Sequence, residues 1–325
     1  MPTFNDSFLM NHTCLRVKDP KVLVPFYTEN FGLKLLNKFD FPDSKFTLYM
    51  LGYEDEATKG KNWSAREGVL ELCHNYGTED DDSYVVNNGN GEENRGFGHI
   101  CVSVDNIVEA EKKLLANGVK FQKKLADGRQ KTIAFALDPN GYWIELIENG
   151  INKVDAKTES ANYKLNHTMI RVKDPKKSLE FYQKVLGFKL LATSVHEGAK
   201  FTLYFLGYDW DPEFKENSED NLTKAKRQGI IELTHNWGTE LDPDFKGYHN
   251  GNSTENGAKQ GFGHTCVSCT DPATFCEEID KELGDKADWS LKWNKGNLKN
   301  IAFIRDPDGY SIEILGHDLF ENSKL

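Results

Sequence analysis

Long hydrophobic runs are missing from this sequence. No apolar stretch in the 325 residues approaches the roughly 20 residues that a membrane-spanning helix needs, so no membrane partner is expected. The first seven residues (Met-Pro-Thr-Phe-Asn-Asp-Ser) contain neither a basic segment nor an apolar one, and no secretory signal is expected either.

Positive charge is also scarce. The chain has 40 lysines and arginines against 51 aspartates and glutamates, which gives a formal net charge of −11. This balance argues against nucleic acid or an anionic membrane surface as a partner. A small anionic ligand stays possible, because a few local arginines can override a distant field.

Cysteine is used sparingly, with six residues in the chain. Cys266 and Cys269 fit a strand better than a disulfide framework, and reduced thiols in the cytoplasm are the simplest interpretation. The 38% hydrophobic and 28% charged composition is typical of a soluble globular protein. The length suits two domains that each bury a core.

A ten-residue segment occurs twice. Residues 11–20 (Asn-His-Thr-Cys-Leu-Arg-Val-Lys-Asp-Pro) return as residues 166–175 with only two apolar exchanges, Cys14 to Met169 and Leu15 to Ile170. The chain is therefore a duplication, and a residue that carries chemistry in one half should have a counterpart in the other.

Each half contains two copies of one element order. A strand at 11–17 is followed by an N-capping Asp19-Pro20 pair, a helix that ends at Gly32, and strands at 34–40, 46–53 and 68–74. The same βαβββ order recurs with strands at 98–104, 119–124, 132–137 and 142–147 and a helix at 106–117. The second half repeats both units at about 165–235 and 263–315.

This organisation predicts an α+β fold made of four βαβββ modules in two tandem domains. The expected boundaries are 1–150 for the first domain, 151–162 for a polar linker and 163–325 for the second domain. Strands that cluster after each helix favour curved, mainly antiparallel sheets, and a curved sheet directs alternate side chains of several strands into one cleft.

Eight polar residues interrupt otherwise apolar strands, four in each half. They are His12, Glu71, His99 and Glu145, with counterparts His167, Glu232, His264 and Glu313. A single glutamate or histidine of this kind most often lies on the solvent side of a half-buried strand. Because all four recur while neutral neighbours such as Cys73 and Thr234 have drifted apart, we interpret the set as candidate metal ligands.

Two imidazoles and two carboxylates suit a borderline divalent ion such as zinc, nickel or cobalt. The absence of cysteine from the set disfavours a closed structural zinc site. An open Lewis-acid site is the better interpretation, in which a glutamate can also act as a base.

Further polar residues recur beside these candidates. Arg16 and Arg171 follow the first histidine of each half by four residues, and Asn75 and Asn236 follow the first glutamate by four. An arginine and an asparagine beside a metal cleft are a plausible grip for a substrate carboxylate and amide. A surface cation paired with a nearby carboxylate is the alternative for each arginine.

The recurring segments resemble those of the glyoxalase I (lactoylglutathione lyase) family. The shared motifs are His-Thr-x-x-Arg-Val-Lys-Asp-Pro, Leu/Ile-Glu-Leu-x-His-Asn-x-Gly-Thr-Glu, Gly-Phe-Gly-His and Asp-Pro-x-Gly-Tyr-x-Ile-Glu. The resemblance covers nearly the whole chain twice, as in the fused monomeric form found in yeasts. It implies a vicinal-oxygen-chelate fold and a monomer with two active sites between its halves.

The resemblance also implies how the ligands combine and what they do. His12 and Glu71 should join His264 and Glu313 in one site, and His167 and Glu232 should join His99 and Glu145 in the other. The implied substrate is the hemithioacetal of glutathione and methylglyoxal, and the product is S-D-lactoylglutathione. One metal ion per site, zinc in most eukaryotic relatives, would polarise the substrate and stabilise a cis-enediolate, with Glu145 and Glu313 as the catalytic bases.

Three positions depart from the family pattern or from the internal repeat. Many animal relatives have glutamine where His12 and His167 stand. Arg95 matches a glutathione contact, but Gln260 is its counterpart in the second half; Lys123 matches another, and there Leu291 stands opposite. We therefore expect two active but unequal sites.

Two other functions fit the same fold. A non-catalytic small-molecule-binding protein would lack a complete ligand set, whereas all eight positions are filled here. An extradiol-type dioxygenase would hold iron on two histidines and one carboxylate, and the extra glutamate in each set disfavours it.

Overall fold

Four βαβββ modules make up the computed structural model, which describes residues 1–321. The first module contains β1 (Leu9–Val17), α1 (Pro20–Phe31), β2 (Lys34–Phe41), β3 (Phe46–Gly52) and β4 (Val69–Asn75). The second contains β5 (Phe97–Val104), α2 (Ile107–Ala116), β6 (Lys120–Lys123), β7 (Ala134–Leu137) and β8 (Trp143–Glu148). The third contains β9 (Lys164–Arg171), α3 (Pro175–Glu180), β10 (Lys189–His196), β11 (Phe201–Gly207), α4 (Asn221–Ala225) and β12 (Ile230–Asn236). The fourth contains β13 (Phe262–Cys269), α5 (Pro272–Leu283), β14 (Trp289–Leu291), β15 (Ile301–Arg305) and β16 (Ser311–Gly316). The predicted α+β architecture is confirmed.

Local sequence signals fix the first helix of each half. The Asp19 side chain accepts a hydrogen bond from the backbone N–H of Lys21, and Gly32 ends α1 in the left-handed conformation (φ 74°). In the third module Asp174 caps α3 in the same way, but the helix continues as a π-helical turn at Phe181–Val185.

The modules combine into two eight-stranded sheets that both cross the sequence halves. The first sheet has the order β14-β15-β16-β13-β1-β4-β3-β2, and the second has the order β10-β11-β12-β9-β5-β8-β7-β6. Modules one and four thus share one sheet, and modules two and three share the other. The domain boundaries near 151–162 stay a prediction, because each sheet takes strands from both sides of that segment.

Strand direction follows one rule in both sheets. The first and last strands of each module run parallel, and every other pair of neighbouring strands is antiparallel. The antiparallel contacts β1–β13 and β5–β9 join two modules at the middle of each sheet. The histidines of the sequence repeat lie on these four central strands.

The two sheets meet along an internal pseudo-symmetry axis. The rings of Phe97 and Phe262 stack there with their centroids 5.2 Å apart, and the hydroxyl oxygens of Thr13 and Thr168 lie 2.5 Å apart. Aromatic stacking and a buried hydrogen bond therefore join equivalent residues of the two halves. Within residues 1–321, no helix is long and apolar enough to cross a membrane.

A buried tyrosine–aspartate pair connects modules that belong to different sheets. The hydroxyl of Tyr27, on α1, donates to Asp138 Oδ2 at 2.9 Å in the turn before β8. Tyr182 and Asp306 repeat the contact at 3.0 Å. Burial raises the pKa of Asp138 to about 7, although the Tyr142 amide and the Tyr27 hydroxyl act in the opposite direction.

Replacing Tyr27 with phenylalanine should lower the free energy of unfolding by about 1–3 kcal/mol, because the buried Asp138 carboxyl loses a donor. Urea unfolding followed by tryptophan fluorescence measures the change. Tyr49→Phe, at a half-buried tyrosine of β3, is the matched control and should change stability by less than about 0.5 kcal/mol. Equal losses in both variants would contradict a specific role for the pair.

Candidate metal centres

Two clusters of histidine and glutamate lie on the central strands, one in each sheet. The first centre consists of His12, Glu71, His264 and Glu313, and the second centre consists of His99, Glu145, His167 and Glu232. In each cluster, four donor atoms lie within 4.8 Å of one another. That spread suits ligands that each sit about 2.0–2.2 Å from one shared ion.

The first centre draws its ligands from modules one and four. His12 Nε2 lies 3.3 Å from Glu71 Oε2, 3.2 Å from Glu313 Oε2 and 3.0 Å from His264 Nε2. Glu313 Oε2 lies 3.4 Å from His264 Nε2. Glu71 and Glu313 are 3% and 7% exposed, so this is an interior cluster of charged groups.

The second centre repeats this geometry with ligands from modules two and three. His167 Nε2 lies 3.0 Å from Glu145 Oε2, 3.1 Å from Glu232 Oε2 and 3.3 Å from His99 Nε2. Glu145 Oε2 is 3.5 Å from His99 Nε2. All four side chains are buried.

An asparagine orients one histidine of each centre. Asn11 uses its amide nitrogen to donate to the carbonyls of Trp63 and Arg66, at 2.9 and 2.6 Å. Its Oδ1, 2.7 Å from His12 Nδ1, must therefore accept a hydrogen bond from that ring nitrogen. In the neutral imidazole this bond places the proton on Nδ1 and leaves the Nε2 lone pair directed at the cluster.

The second centre has the equivalent arrangement. Asn166 donates to the carbonyls of Lys224 and Arg227, both at 2.8 Å, and its Oδ1 lies 2.7 Å from His167 Nδ1. Sequence reasoning missed both asparagines as functional residues. The signal was present, since each asparagine directly precedes the repeated histidine.

The electrostatics of the clusters favour ionised carboxylates. Burial raises the pKa of Glu313, but hydrogen bonds from His12 and His264 outweigh it and lower that pKa to about 2. Burial likewise opposes ionisation of Glu145, and its two histidine neighbours lower its pKa well below the ordinary value. Anionic oxygens beside imidazole nitrogens are a donor set for a divalent cation.

The histidine pKa values move in the complementary direction. Burial lowers the pKa of His264, but hydrogen bonding to Glu313 and the charge of Glu71 raise it above its ordinary value. Burial also lowers the pKa of His167, but Cys101, Glu145 and Glu232 outweigh burial and raise this pKa well above its ordinary value. A cation that binds here must therefore displace protons.

Two of the predicted substrate residues of the second centre line a cavity of about 380 Å³. Arg95, Asn236 and Tyr248 are among its walls, and the Asn236 amide donates to the Tyr248 hydroxyl at 2.9 Å. The Arg171 guanidinium is held by the carbonyls of Gly89, Gly96 and Phe97 at 3.1–3.2 Å and by Asn90 Oδ1 at 2.9 Å, and its charge interacts with Arg95. Arg95 therefore lines the cavity, and the Arg171 guanidinium lies close enough for their charges to interact.

The corresponding residues of the first centre have fewer contacts of this kind. Arg16 donates to the carbonyl of Phe262 at 3.2 Å. Asn75 pairs with Phe46 in the strand register and lies on the same face as Glu71. Gln260, the counterpart of Arg95, uses its amide to donate to the Asn252 carbonyl at 2.7 Å. The first centre therefore has one arginine where the second has two.

Lys123 lies at the end of β6 and is tied to its own module. Its ammonium donates to the carbonyls of Gln130 and Ile133, at 2.7 and 2.5 Å. These bonds tie the end of β6 to the loop that leads to β7. A role for Lys123 in substrate binding stays a prediction.

Comparisons with known proteins agree with this architecture. The sequence model of the Glyoxalase/Bleomycin resistance protein/Dioxygenase superfamily matches residues 9–146 and 164–314. Glyoxalase I of Saccharomyces cerevisiae is 54% identical over 96% of this chain and 94% of its own length. Lactoylglutathione lyase of Schizosaccharomyces pombe is 43% identical over 95% of this chain and 96% of its own.

A solved structure has the same fold over nearly the full length. Glyoxalase I from Zea mays superposes with a TM-score of 0.69 at 26% identity and covers 97% of this chain and 95% of its own. The family match includes both halves, and the curated relatives align across both. The chain belongs to the glyoxalase superfamily and, within it, to the glyoxalase I family.

Proposed function

We propose that this chain is a lactoylglutathione lyase that converts the methylglyoxal–glutathione hemithioacetal to S-D-lactoylglutathione and thereby detoxifies methylglyoxal. The observation that carries the proposal is the pair of complete clusters, each with two imidazoles and two carboxylates from modules of both halves. The names of the relatives that align over the full length support it. A binding protein without catalytic function would have no need of two complete donor sets.

One divalent ion in each centre is the proposed cofactor, with zinc as the first candidate and nickel or cobalt as alternatives. The four side chains of each cluster would hold it through Nε2 and carboxylate oxygens. The ion would act as a Lewis acid, polarising the substrate oxygens and stabilising the negative charge that develops when a carbon-bound proton leaves.

Glu145 and Glu313 are the proposed bases. Their carboxylates are ionised in the clusters, and each lies among the donor atoms that would surround the ion. Each would take the proton from C1 of the hemithioacetal and return it to the adjacent C2, while the proton of the C1 hydroxyl passes to the oxygen on C2. The reaction is an isomerisation, so one carboxylate can do both steps without another reactant.

The charged and amide groups around the centres are the proposed glutathione contacts. Arg95, Arg171 and Asn236 would bind the tripeptide at the second centre, with Lys123 as a further contact. Arg16 and Asn75 would do so at the first centre. Guanidinium groups bind carboxylates through paired hydrogen bonds, which suits the two carboxylates of glutathione.

We also propose that the chain works as a monomer in the cytoplasm. A single chain completes both clusters, because modules one and four, and modules two and three, pair internally. Its six cysteines are all free thiols, as expected of a reducing compartment.

Removing the metal should abolish thioester formation. We expect chelator-treated protein to produce no rise in thioester absorbance with methylglyoxal and glutathione, and added Zn²⁺, Ni²⁺ or Co²⁺ to restore it. The ion that restores the highest rate identifies the preferred metal. Failure of every ion, with protein that remains folded by circular dichroism, would contradict the lyase function.

Replacing Asn166 with alanine should weaken metal binding at the second centre by about 10- to 100-fold, because His167 loses the acceptor that fixes its tautomer. A metal titration against a chromophoric chelator should then show one weakened and one unchanged site. Asn30→Ala, on helix α1, is the control and should leave both sites unchanged. Two unchanged sites in Asn166→Ala would show that this hydrogen bond does not tune the ligand.

The two centres should differ in the Michaelis constant. Glu313→Gln inactivates the first centre and leaves only the second intact, which has Arg95. Glu145→Gln inactivates the second centre and leaves only the first intact, which has Gln260. Loss of one charge-assisted contact costs about 1.5–3 kcal/mol, so we expect a Michaelis constant about 10- to 100-fold lower in Glu313→Gln.

Adding Arg95→Gln to Glu313→Gln should raise the Michaelis constant toward that of Glu145→Gln. Steady-state kinetics with the methylglyoxal hemithioacetal measure all three variants. Identical constants in the two single variants would disprove the predicted inequality.

A further inference from the structure

We propose that the two centres divide their substrates by the side chain of the 2-oxoaldehyde. The first centre would prefer aromatic or large apolar substituents, and the second would prefer small or polar ones. This inference rests on the proposed lyase function and concerns the cleft wall beside each centre.

Strand β2 contributes two aromatic side chains to the wall of the first cleft. In the strand register, Phe39 pairs with Leu48 and Phe41 pairs with Phe46. Leu48 and Phe46 pair in turn with the residues two and four positions after Glu71. Side chains two residues apart lie on the same face of a sheet, so both β2 phenylalanines face the cleft with the metal ligands.

Two more aromatic rings extend this wall. The ring of Trp63 lies 5.8 Å from the His12 ring and 5.8 Å from the Phe39 ring. The ring of Phe320, after β16, lies 5.0 Å from Phe39 and 6.1 Å from Phe41. The rings thus form a continuous aromatic surface that begins at a metal ligand. We call Phe39, Phe41, Trp63 and Phe320 the aromatic wall.

Phe320 is held in place at a conformational cost. Its φ of 54° lies in the left-handed region, which a bulky side chain rarely adopts. Its segment is anchored by Asn62, whose amide donates to the carbonyls of His317 and Leu319, both at 3.0 Å. The strained backbone points to an aromatic wall that is built into the fold.

The duplication gives each wall residue a counterpart in the second cleft, and all four counterparts are polar. Phe39 corresponds to Ser194 and Phe41 to His196, each 155 positions later, as His12 corresponds to His167. Lys224 is the counterpart of Trp63, because it follows Trp63 by as many positions as Glu232 follows Glu71. Asn152 is the counterpart of Phe320, because it precedes Phe320 by as many positions as Glu145 precedes Glu313. Asn152 shares the left-handed φ, at 47°, which supports the last assignment.

The polar counterparts occupy the same face of the second sheet. Ser194 and His196 pair with Leu203 and Phe201 on β11, which pair with residues two and four positions after Glu232. Ser194 Oγ lies 3.0 Å from His196 Nε2. The Asn152 amide donates to Asn162 Oδ1 at 3.2 Å, within the segment that joins the halves.

Lys224 gives the second cleft a buried positive charge. Its ammonium lies 3.4 Å from the centroid of the Phe205 ring, and Phe205 pairs with Glu232 in the register. The charges of Glu232 and Glu145 act on this ammonium. Covering it with an apolar ring would remove the remaining solvation of the charge, which is unfavourable.

The protein itself does not fully cover the first wall. Phe41, Phe46, Leu48 and Phe320 are only half-buried although they face the interior of a cleft. A phenyl substituent would remove this apolar surface from water and stack against the rings. A methyl substituent would cover little of it, so selectivity should follow the size of the substituent.

The experiment compares two single-centre enzymes with two substrates. Glu145→Gln retains the first centre, and Glu313→Gln retains the second. For each we would measure kcat/KM with the glutathione hemithioacetals of phenylglyoxal and of methylglyoxal. We expect the phenylglyoxal-to-methylglyoxal ratio to be at least about tenfold higher for Glu145→Gln, since apolar substituent contacts change specificity by about 10- to 200-fold.

An exchange of one wall residue tests the cause. Phe41 stacks on Phe46 with centroids 4.7 Å apart, and His196 stacks on Phe201 at 4.4 Å, so the two positions have the same packing. Phe41→His in the first-centre enzyme should lower the ratio several-fold, and His196→Phe in the second-centre enzyme should raise it. Tyr49→His, on the opposite face of β3, is the control and should leave the ratio unchanged.

The outcomes separate this inference from the proposed function. Equal ratios in two active single-centre enzymes would overturn the division of substrates and leave the lyase function standing. An inactive Glu145→Gln enzyme beside an active wild type would also overturn it. A wild-type protein that forms no thioester from either aldehyde with any metal would overturn the proposed function itself.

Discussion

The structure depends on the antiparallel contact between the first strands of two modules. In the first sheet β1 pairs with β13, and in the second sheet β5 pairs with β9. Each of these four strands carries one histidine of a cluster. Their parallel neighbours, β4 and β16 in the first sheet and β12 and β8 in the second, carry the glutamates. Neither half of the sequence contains a complete cluster of its own. Each candidate metal centre is therefore complete only when the two halves are associated.

The clusters are also an energetic constraint on the fold. Ionised carboxylates in the protein interior are unfavourable unless opposite charges and hydrogen bonds compensate for the lost hydration. Here Glu145 and Glu313 lie against imidazoles, and Asn11 and Asn166 fix the rings of His12 and His167. This network exists twice in nearly the same geometry, because both copies must satisfy the same buried groups.

Outside the donor sets the two copies have diverged. Each donor position must keep a group that balances the buried charges and that can coordinate the proposed metal ion. The cleft walls have no such requirement, so aromatic residues such as Phe39 and Trp63 stand in one copy where Ser194 and Lys224 stand in the other. Duplication followed by divergence of the walls gives one chain two clusters of the same composition with different surroundings.

The sequence alone determined the modules and the candidate ligands. The period-two strands, the Asp-Pro helix starts and the recurrence of His12 and Glu71 are local or internal signals, and the α+β architecture of four modules followed from them. The N-cap of α1 at Asp19 and its end at Gly32 were predicted, because the cap and the terminal glycine are both encoded locally. The pairing of the modules came from family resemblance, since no local pattern encodes which strands meet.

The tertiary structure decided the rest. It alone revealed that Asn11 and Asn166 direct the histidines and that the Tyr27–Asp138 pair joins different sheets. It also brought Phe320 onto the wall beside Phe39, across 281 positions of the chain. These contacts join residues far apart in sequence, and their partners are set by the packing of whole sheets, which leaves no periodic signal in the sequence.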